Sequence, residues 1–499
     1  MNLASFLTTT ATAQGDRIAL RLGEKHTSYR ELDQASGRVA GLLSERGVAP
    51  GDRVGVMLGN TPEFAAVYYG VLRAGAVVVP MNPLLKGREI AFYLSDSQAR
   101  VLFVAQPFAA QARGGAIGTD TQVVEVGPAF LTGLVEHPIV DAVVDRNGSD
   151  TAVILYTSGT TGRPKGAELT HDNLAGNAEV TAETLLKLTP DDVIFGGLPL
   201  FHAFGQTVTL ITAVRVGASV TMLPRFDPAA ALATMAAHGV TIFVGVPTMY
   251  TALVAAFPGS GFDASRVRVC VSGGAALPVE ILHSFEKAYE CPILEGYGLS
   301  ETSPVASFNH PDAVRKPGSI GTPIAGVRMR VQDDDGRPVS DGQVGEIAIA
   351  GPNIMKGYWQ RPDATASAIV DGWFRTGDMG RVDADGHYFI VDRKKDMIIR
   401  GGYNIYPREI EEVLYEHPGV AEAAVIGVPD PSLGEEVAAV VALKPGATDS
   451  PEQIRDFVKQ QVAAYKYPRT VHVVDALPKG PTGKIVKRDI VLPTEASRA

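Results

Sequence analysis

Ile154-Leu-Tyr-Thr-Ser-Gly-Thr-Thr-Gly-Arg-Pro-Lys-Gly166 crowds hydroxyls, glycines and a lysine into a short tract behind the apolar run Ala152 to Leu155. Glycine lets backbone approach an anion closely. Successive N–H groups, hydroxyls and an ammonium then surround phosphate oxygens. The tract does not follow the Gly-x-x-x-x-Gly-Lys-Ser/Thr pattern, because Pro164 precedes Lys165 and Gly166 follows it. Composition alone leaves two readings open, a phosphate-binding loop and a flexible surface turn.

The rest of the chain narrows the choice. Its 499 residues suggest two to four domains. Apolar residues at 45% and charged residues at 20% are ordinary for a globular enzyme and far from disorder. A net charge of −10, with no long basic run, argues against a nucleic-acid partner. Cys270 and Cys291 lie in apolar segments without metal-ligand spacing, as buried thiols in a reducing compartment would. The N-terminus lacks the basic region and apolar core of a signal peptide. No run of 18 apolar residues exists, so no transmembrane segment is expected. The expectation is a soluble, cytoplasmic protein.

Ser28-Tyr-Arg-Glu31 reads as a capping box, followed by Leu32, Ala35, Val39 and Leu42 at helical spacing and closed by Gly47. Arg53 to Leu58 reads as a strand, Thr61-Pro62-Glu63 as a helix start with an N-cap, and Ala76 to Pro80 as a strand. This βαβ rhythm continues through strands at Val101 to Ala105, Gln122 to Val126, Thr241 to Val246, Val267 to Val271 and Pro292 to Glu295. From about 317 to 390 the pattern becomes strands and Gly/Asp turns, a β-rich subdomain. Asp392-Arg-Lys-Lys-Asp396 looks like a linker, and the remainder reads as a compact α+β unit. The expected fold class is therefore α/β: a large N-terminal body over 1–392 with βαβ-layered sheets, a charged linker at 393–396, and a small α+β lid over 397–499.

Further tracts carry chemistry. Pro199-Leu-Phe-His-Ala-Phe-Gly205 sets His202 among aromatics, where a histidine either packs or acts. Val271-Ser-Gly-Gly-Ala-Ala-Leu-Pro278 follows a strand and opens a helix, a tight turn that also lets a planar ring lie on backbone. In Glu295-Gly-Tyr-Gly-Leu-Ser-Glu-Thr302, Tyr297 offers a stacking face and Glu301 a hard oxygen ligand for Mg²⁺. Trp373-Phe-Arg-Thr-Gly-Asp378 ends in a carboxylate suited to two ribose hydroxyls. Gly401-Gly-Tyr-Asn-Ile-Tyr-Pro407 and Pro478-Lys-Gly-Pro-Thr-Gly-Lys484 follow. Each has a bland counterpart, from a solvated glutamate to a solvated lysine tail.

Taken together, in this order and spacing, the tracts resemble the adenylate-forming superfamily of acyl-CoA synthetases, carrier-protein adenylation domains and firefly luciferase. The resemblance implies ATP and Mg²⁺, with coenzyme A as co-substrate. It assigns nucleotide contacts to Thr157, Ser158, Gly159, Thr160, Thr161, Gly162 and Lys165 of the loop. Others fall to Gly274, Ala275, Glu295, Gly296, Tyr297, Gly298 and Thr302, and the ribose to Asp378 and Arg393. Glu301 and Thr157 would hold the metal. Lys484 would bridge carboxylate and α-phosphate, Lys395 would be the hinge, and Gly401 and Gly402 would swing toward the thiol acceptor. Catalytic roles thus fall to Lys484, His202, Thr157 and Glu301. Gly480-Pro481 is a mild departure ahead of an intact Thr482-Gly-Lys484.

Malonyl-CoA synthetases place an arginine beside the motif tyrosine, where this chain has Gly296. A dicarboxylate is therefore disfavoured. Phe201, His202, Phe204, Val246, Met249, Gly273 and Gly296 outline an apolar, roomy acyl pocket suited to an alkyl chain. The expected substrate is a medium- to long-chain fatty acid, with an aryl acid as the alternative. Coenzyme A is the expected acceptor and an acyl carrier protein the alternative. A luciferase-type oxidase shares these motifs. A non-catalytic nucleotide binder would be expected to lose Lys484 or Glu301, and both are present.

Overall fold

The computed structural model describes residues 1–157, 164–481 and 483–492. Two large sheets form the body. One has seven strands, in the order 357–358, 165–170, 151–157, 77–80, 53–57, 99–105 and 122–126. From 151–157 outward to 122–126 it is parallel, with Arg53 opposite both Val77 and Ala99. The second has nine strands, and its centre (193–196, 242–245, 269–272 and 293–298) is parallel. Parallel strands need crossover helices, and these cover the faces.

Local sequence explains the elements that seat the sheets. Ser28 and Glu31 close a reciprocal capping box on helix Tyr29–Glu45, which buries Leu32, Val39, Leu42 and Leu43. Helix Pro62–Arg73 packs beside it so closely that a Cβ on Gly70 would lie 2.5 Å from Val39. Thr61 occupies the N-cap in extended conformation, but its side chain makes no capping bond. The proline at the first helical position removes one otherwise unpaired N–H group and presets φ for the helix.

Strands Thr151–Thr157 and Lys165–Thr170 pair antiparallel, with Thr157 opposite Lys165. The 154–166 tract is therefore the connection of a hairpin, unlike a P-loop, which leads from strand into helix. Beyond residue 317 the β-rich region appears as a five-stranded antiparallel sheet built from 328–332, 345–350, 369–370, 373–382 and 388–393. Helix Pro362–Ala368, which the strand-and-turn pattern does not announce, sits within it.

One large core runs from Leu3 to Tyr388, and a separate one from Ile398 to Val471. The second belongs to a five-stranded sheet flanked by helices Pro407–Glu416 and Pro451–Gln461. The charged stretch between the cores is only partly a linker. Asp392 and Arg393 end strand Tyr388–Arg393, and the turn itself begins at Lys394. The C-terminal unit is docked on the body. The Arg408 N–H donates to Asp392 Oδ2 at 3.0 Å, and Thr248 Oγ1 donates to the Gly483 carbonyl at 2.9 Å. Among the described residues no helix is long and apolar enough to cross a membrane.

Candidate active site

A cavity of 1410 Å³ lies where the C-ends of the parallel strands meet the docked C-terminal unit. Open parallel sheets present ligands at that edge. Thr157 and Lys165 reach it from the two ends of the hairpin connection. Ser158, Gly159, Thr160, Thr161 and Gly162, expected to cradle phosphate, lie outside the described residues, as does Thr482. Glu301, in the short helical turn Ser300–Thr302, is 7% exposed. Its Oε1 accepts hydrogen bonds from Tyr358 Oη at 3.0 Å and Thr157 Oγ1 at 3.3 Å.

The wall expected to face the nucleotide is equally built. Strands Trp373–Val382 and Tyr388–Arg393 place Asp378 directly opposite Arg393. Arg393 Nε lies 3.1 Å from Asp378 Oδ1, and Tyr297 Oη donates to Oδ2 at 2.6 Å. Burial raises the Asp378 pKa, while Arg393 and the tyrosine hydrogen bond oppose the rise. Gly273, Gly274 and Ala275 form the facing wall. Gly274 is needed there twice over. Its φ is +83°, and a Cβ would stand 2.8 Å from Lys484 Cε.

Lys484 thus enters the cavity from the C-terminal unit. Burial lowers its pKa from 10.5 to about 8, with Arg393 adding repulsion and Asp378 opposing. His202 lies nearby. Burial and the Lys484 charge hold its pKa down to about 3, so the imidazole is neutral at physiological pH. The Phe204 N–H points at its Nδ1 across 3.4 Å, leaving Nε2 to carry the proton. Glu295 is pushed up to about 8 by burial, against the pull of Arg408. Its Oε1 has no hydrogen-bond partner.

Val246, Gly296 and Gly298 also line the cavity, with Lys395 at its edge. Other expected residues lie elsewhere. Phe201 and Met249 pack into the surrounding core. The Thr302 hydroxyl is buried and spent on its own turn, accepting from Leu299 N and donating to the Pro304 carbonyl. Gly401 and Gly402 are exposed on the C-terminal unit, where Gly401 N bonds Leu433 O at 2.8 Å. Sequence reading missed Tyr358, Phe308, Thr248 and Arg408. Nothing in the chain flags them, since each acts through a partner distant in sequence.

Against known families, residues 7–359 match the AMP-binding enzymes and residues 409–484 the AMP-binding enzyme C-terminal domain. The chain belongs to this adenylate-forming family, the AMP-forming acyl-CoA ligases. ATP and coenzyme A are accordingly its co-substrates, with Mg²⁺ typical of the family. The chain is 37% identical to a long-chain-fatty-acid–CoA ligase of Bacillus subtilis, over 98% of its own length and 94% of the relative's. It is 38% identical to a feruloyl-CoA synthase of Amycolatopsis, over 95% of each. Among solved structures, ATP-bound MatB of Rhodopseudomonas palustris superposes with a TM-score of 0.91 at 35% identity, covering 98% of both chains. The apo form of MatB gives 0.80, with 98% of this chain and 97% of that one covered. This acyl-CoA ligase thus superposes more closely on the ATP-bound form than on the apo form.

The donors fit Mg²⁺. Among the described residues there is no group of three or more His, Cys, Asp or Glu that could hold a metal. Glu301 and the Thr157 hydroxyl instead offer one carboxylate and one neutral oxygen. Mg²⁺ accepts such a site, keeping waters and taking phosphate oxygens for the rest.

Proposed function

We propose that this enzyme joins a medium- to long-chain fatty acid to coenzyme A through an acyl-adenylate. The observation that carries this reading is the apolar end of the cavity. A Cβ on Gly296 would lie 2.5 Å from the Phe308 ring, and one on Gly273 3.1 Å from the Phe204 ring. Two aromatic rings thus crowd two glycines, with Val246 and Val208 also lining the cavity. A charged side chain at 296 would displace Phe308, so this end supplies apolar walls rather than a partner for a second carboxylate. The same apolar walls also suit an aryl acid, the second reading, in keeping with the name of the feruloyl-CoA synthase relative.

In the first half-reaction the substrate carboxylate attacks the α-phosphorus of ATP and pyrophosphate leaves. Both reactants are anions, so the task is charge neutralisation and in-line placement. Lys484 supplies a cation between them. The neutral His202 offers its Nε2–H near the carboxylate. Asp378 accepts from the ribose hydroxyls, held by Tyr297 and Arg393. Mg²⁺ on Glu301 and Thr157 would offset phosphate charge. In the second half-reaction the 397–499 unit turns about Lys395, withdraws Lys484, and brings Gly401 and Gly402 to the incoming thiol. The thiol displaces AMP from the mixed anhydride. A cytoplasmic location goes with this reading.

The test is mass-spectrometric product analysis with ATP, Mg²⁺, a ladder of saturated fatty acids, benzoate and malonate, with and without coenzyme A. The expected product is acyl-CoA, made most efficiently from one alkyl length. Benzoyl-CoA as the main product would move the reading to an aryl acid. Acyl-AMP accumulating beside coenzyme A would move the acceptor to an acyl carrier protein.

A further inference from the structure

Tyr358 is absent from every role assigned above, yet it touches two of the charged groups on which those roles depend. It stands on the two-residue strand Gly357–Tyr358, which pairs antiparallel with Lys165–Thr170 and sets Tyr358 opposite Ala167. Lys356 N donates to the Glu168 carbonyl at 2.9 Å, and Trp359 N to the Gly166 carbonyl at 2.7 Å. Tyr358 N is held by Thr365 Oγ1 at 2.9 Å. The backbone at 356–359 is thereby fastened to the strand that leaves the phosphate loop.

From that anchored position the side chain works in two directions. Its phenol donates to Glu301 Oε1 at 3.0 Å, the oxygen that also accepts from Thr157. Its ring face lies under the Lys165 ammonium, 5.3 Å from the centroid. Thr157 and Lys165 face each other across the hairpin. Thr157, Glu301, Tyr358 and Lys165 therefore close a ring at the mouth of the loop. We propose that Tyr358 is a positioning residue for nucleotide binding, its phenol aiming the Glu301 carboxylate at the metal and its ring seating Lys165 for the phosphates.

The division of labour follows from the chemistry of each face. A hydrogen bond to a carboxylate is directional and fixes which oxygen stays open. A cation over a ring is held loosely, so Lys165 can leave for a phosphate at little cost. A tyrosine that served only to pack would not need its oxygen on the carboxylate.

This proposal rests on the nucleotide reading above, so its test measures binding rather than turnover. The probe is α,β-methylene-ATP, titrated calorimetrically into the full chain with Mg²⁺ or with a chelator, and thermal unfolding is followed in parallel. Tyr358→Phe keeps the ring and loses the phenol. It should weaken analogue binding about tenfold with Mg²⁺ and leave metal-free binding unchanged. Tyr358→Leu loses both faces and should weaken binding in both conditions. A Phe variant that binds like wild type, or weakens equally with and without Mg²⁺, overturns the proposal alone. Wild-type protein that binds the analogue in neither condition overturns the nucleotide reading and this proposal with it.

Discussion

Two of the cations that line the cavity, Arg393 and Lys484, are treated in opposite ways by the regions that hold them. Arg393, on the body, is paired with Asp378 at 3.1 Å, and that pairing raises its pKa. Lys484, on the C-terminal unit, makes no ion pair among the described residues, and burial lowers its pKa to about 8. The body thus carries a charge that is already satisfied before any ligand arrives. The C-terminal unit carries one that is costly until an anion meets it. A catalytic cation gains most from being unsatisfied in the ground state, because its binding energy is then released where negative charge develops. A cation that only positions gains from being fixed. The difference fits the proposed division, in which Arg393 holds and Lys484 does the chemistry.

The sharpest way to break that contrast is Lys484→Ala. Adenylation from free acid and ATP should fall by about 10²–10³-fold or more, as when a single charge-stabilising donor is lost from an active site. Thiolation of pre-made acyl-AMP should survive. Equal loss of both half-reactions, measured separately, would remove Lys484 from its assigned role.

The next effect is one of pH, and its two signs differ. Below about pH 8 the lysine is charged whether docked or free, and docking bears the full desolvation cost. Between that value and the ordinary 10.5 the docked lysine sheds its proton, so docking strengthens as pH rises. Adenylation as proposed needs the charge and goes the other way. The kcat/KM of adenylation should fall about tenfold per pH unit above 8, while thiolation of acyl-AMP shows no such limb. A profile flat to about pH 9.5 would mean that Lys484 keeps its proton as firmly as Arg393 does, and the contrast would fail.

Much of this site is legible in the sequence because local chemistry carries it. The Ser28–Glu31 cap, the parallel strands and the Gly273–Gly274 turn each follow from neighbours a few residues apart. Asp378 and Lys484 are legible through resemblance, as fixed members of short motifs. What stays hidden is tertiary. Thr248 meets Gly483 across 235 positions, and Tyr358 meets Glu301 across 57. Phe308 closes over Gly296 only because strands 293–298 and 305–308 pair with those two residues opposite each other. The pairing of strands 151–157 and 165–170 is hidden for another reason. An apolar run followed by glycines is equally compatible with a strand entering a helix, and only the partner strand decides. The π-helical turn Phe204–Ile211, which sets Phe204 against Gly273, has no periodicity that announces it.

The smallest effect tests the holding half of the contrast. Tyr297→Phe keeps the ring that would stack on the base and removes only the donor on Asp378 Oδ2. Arg393 still holds Oδ1, so the carboxylate should keep its place and lose part of its support. One hydrogen bond to a buried carboxylate is worth about 1.5–3 kcal/mol when nothing replaces it, but a ribose hydroxyl is at hand to do so. KM for ATP should therefore rise only about threefold near pH 7.5, with KM for the acid unchanged. Acidification should widen the gap. Burial already raises the Asp378 pKa, and losing the phenol raises it further, so the carboxylate protonates at a higher pH in the variant. A protonated Asp378 no longer pairs with Arg393, and ATP affinity drops with it. If the variant and wild type instead show the same KM for ATP from about pH 7.5 down to about pH 5.5, Arg393 alone fixes Asp378, and the tyrosine's only service to the nucleotide is its ring.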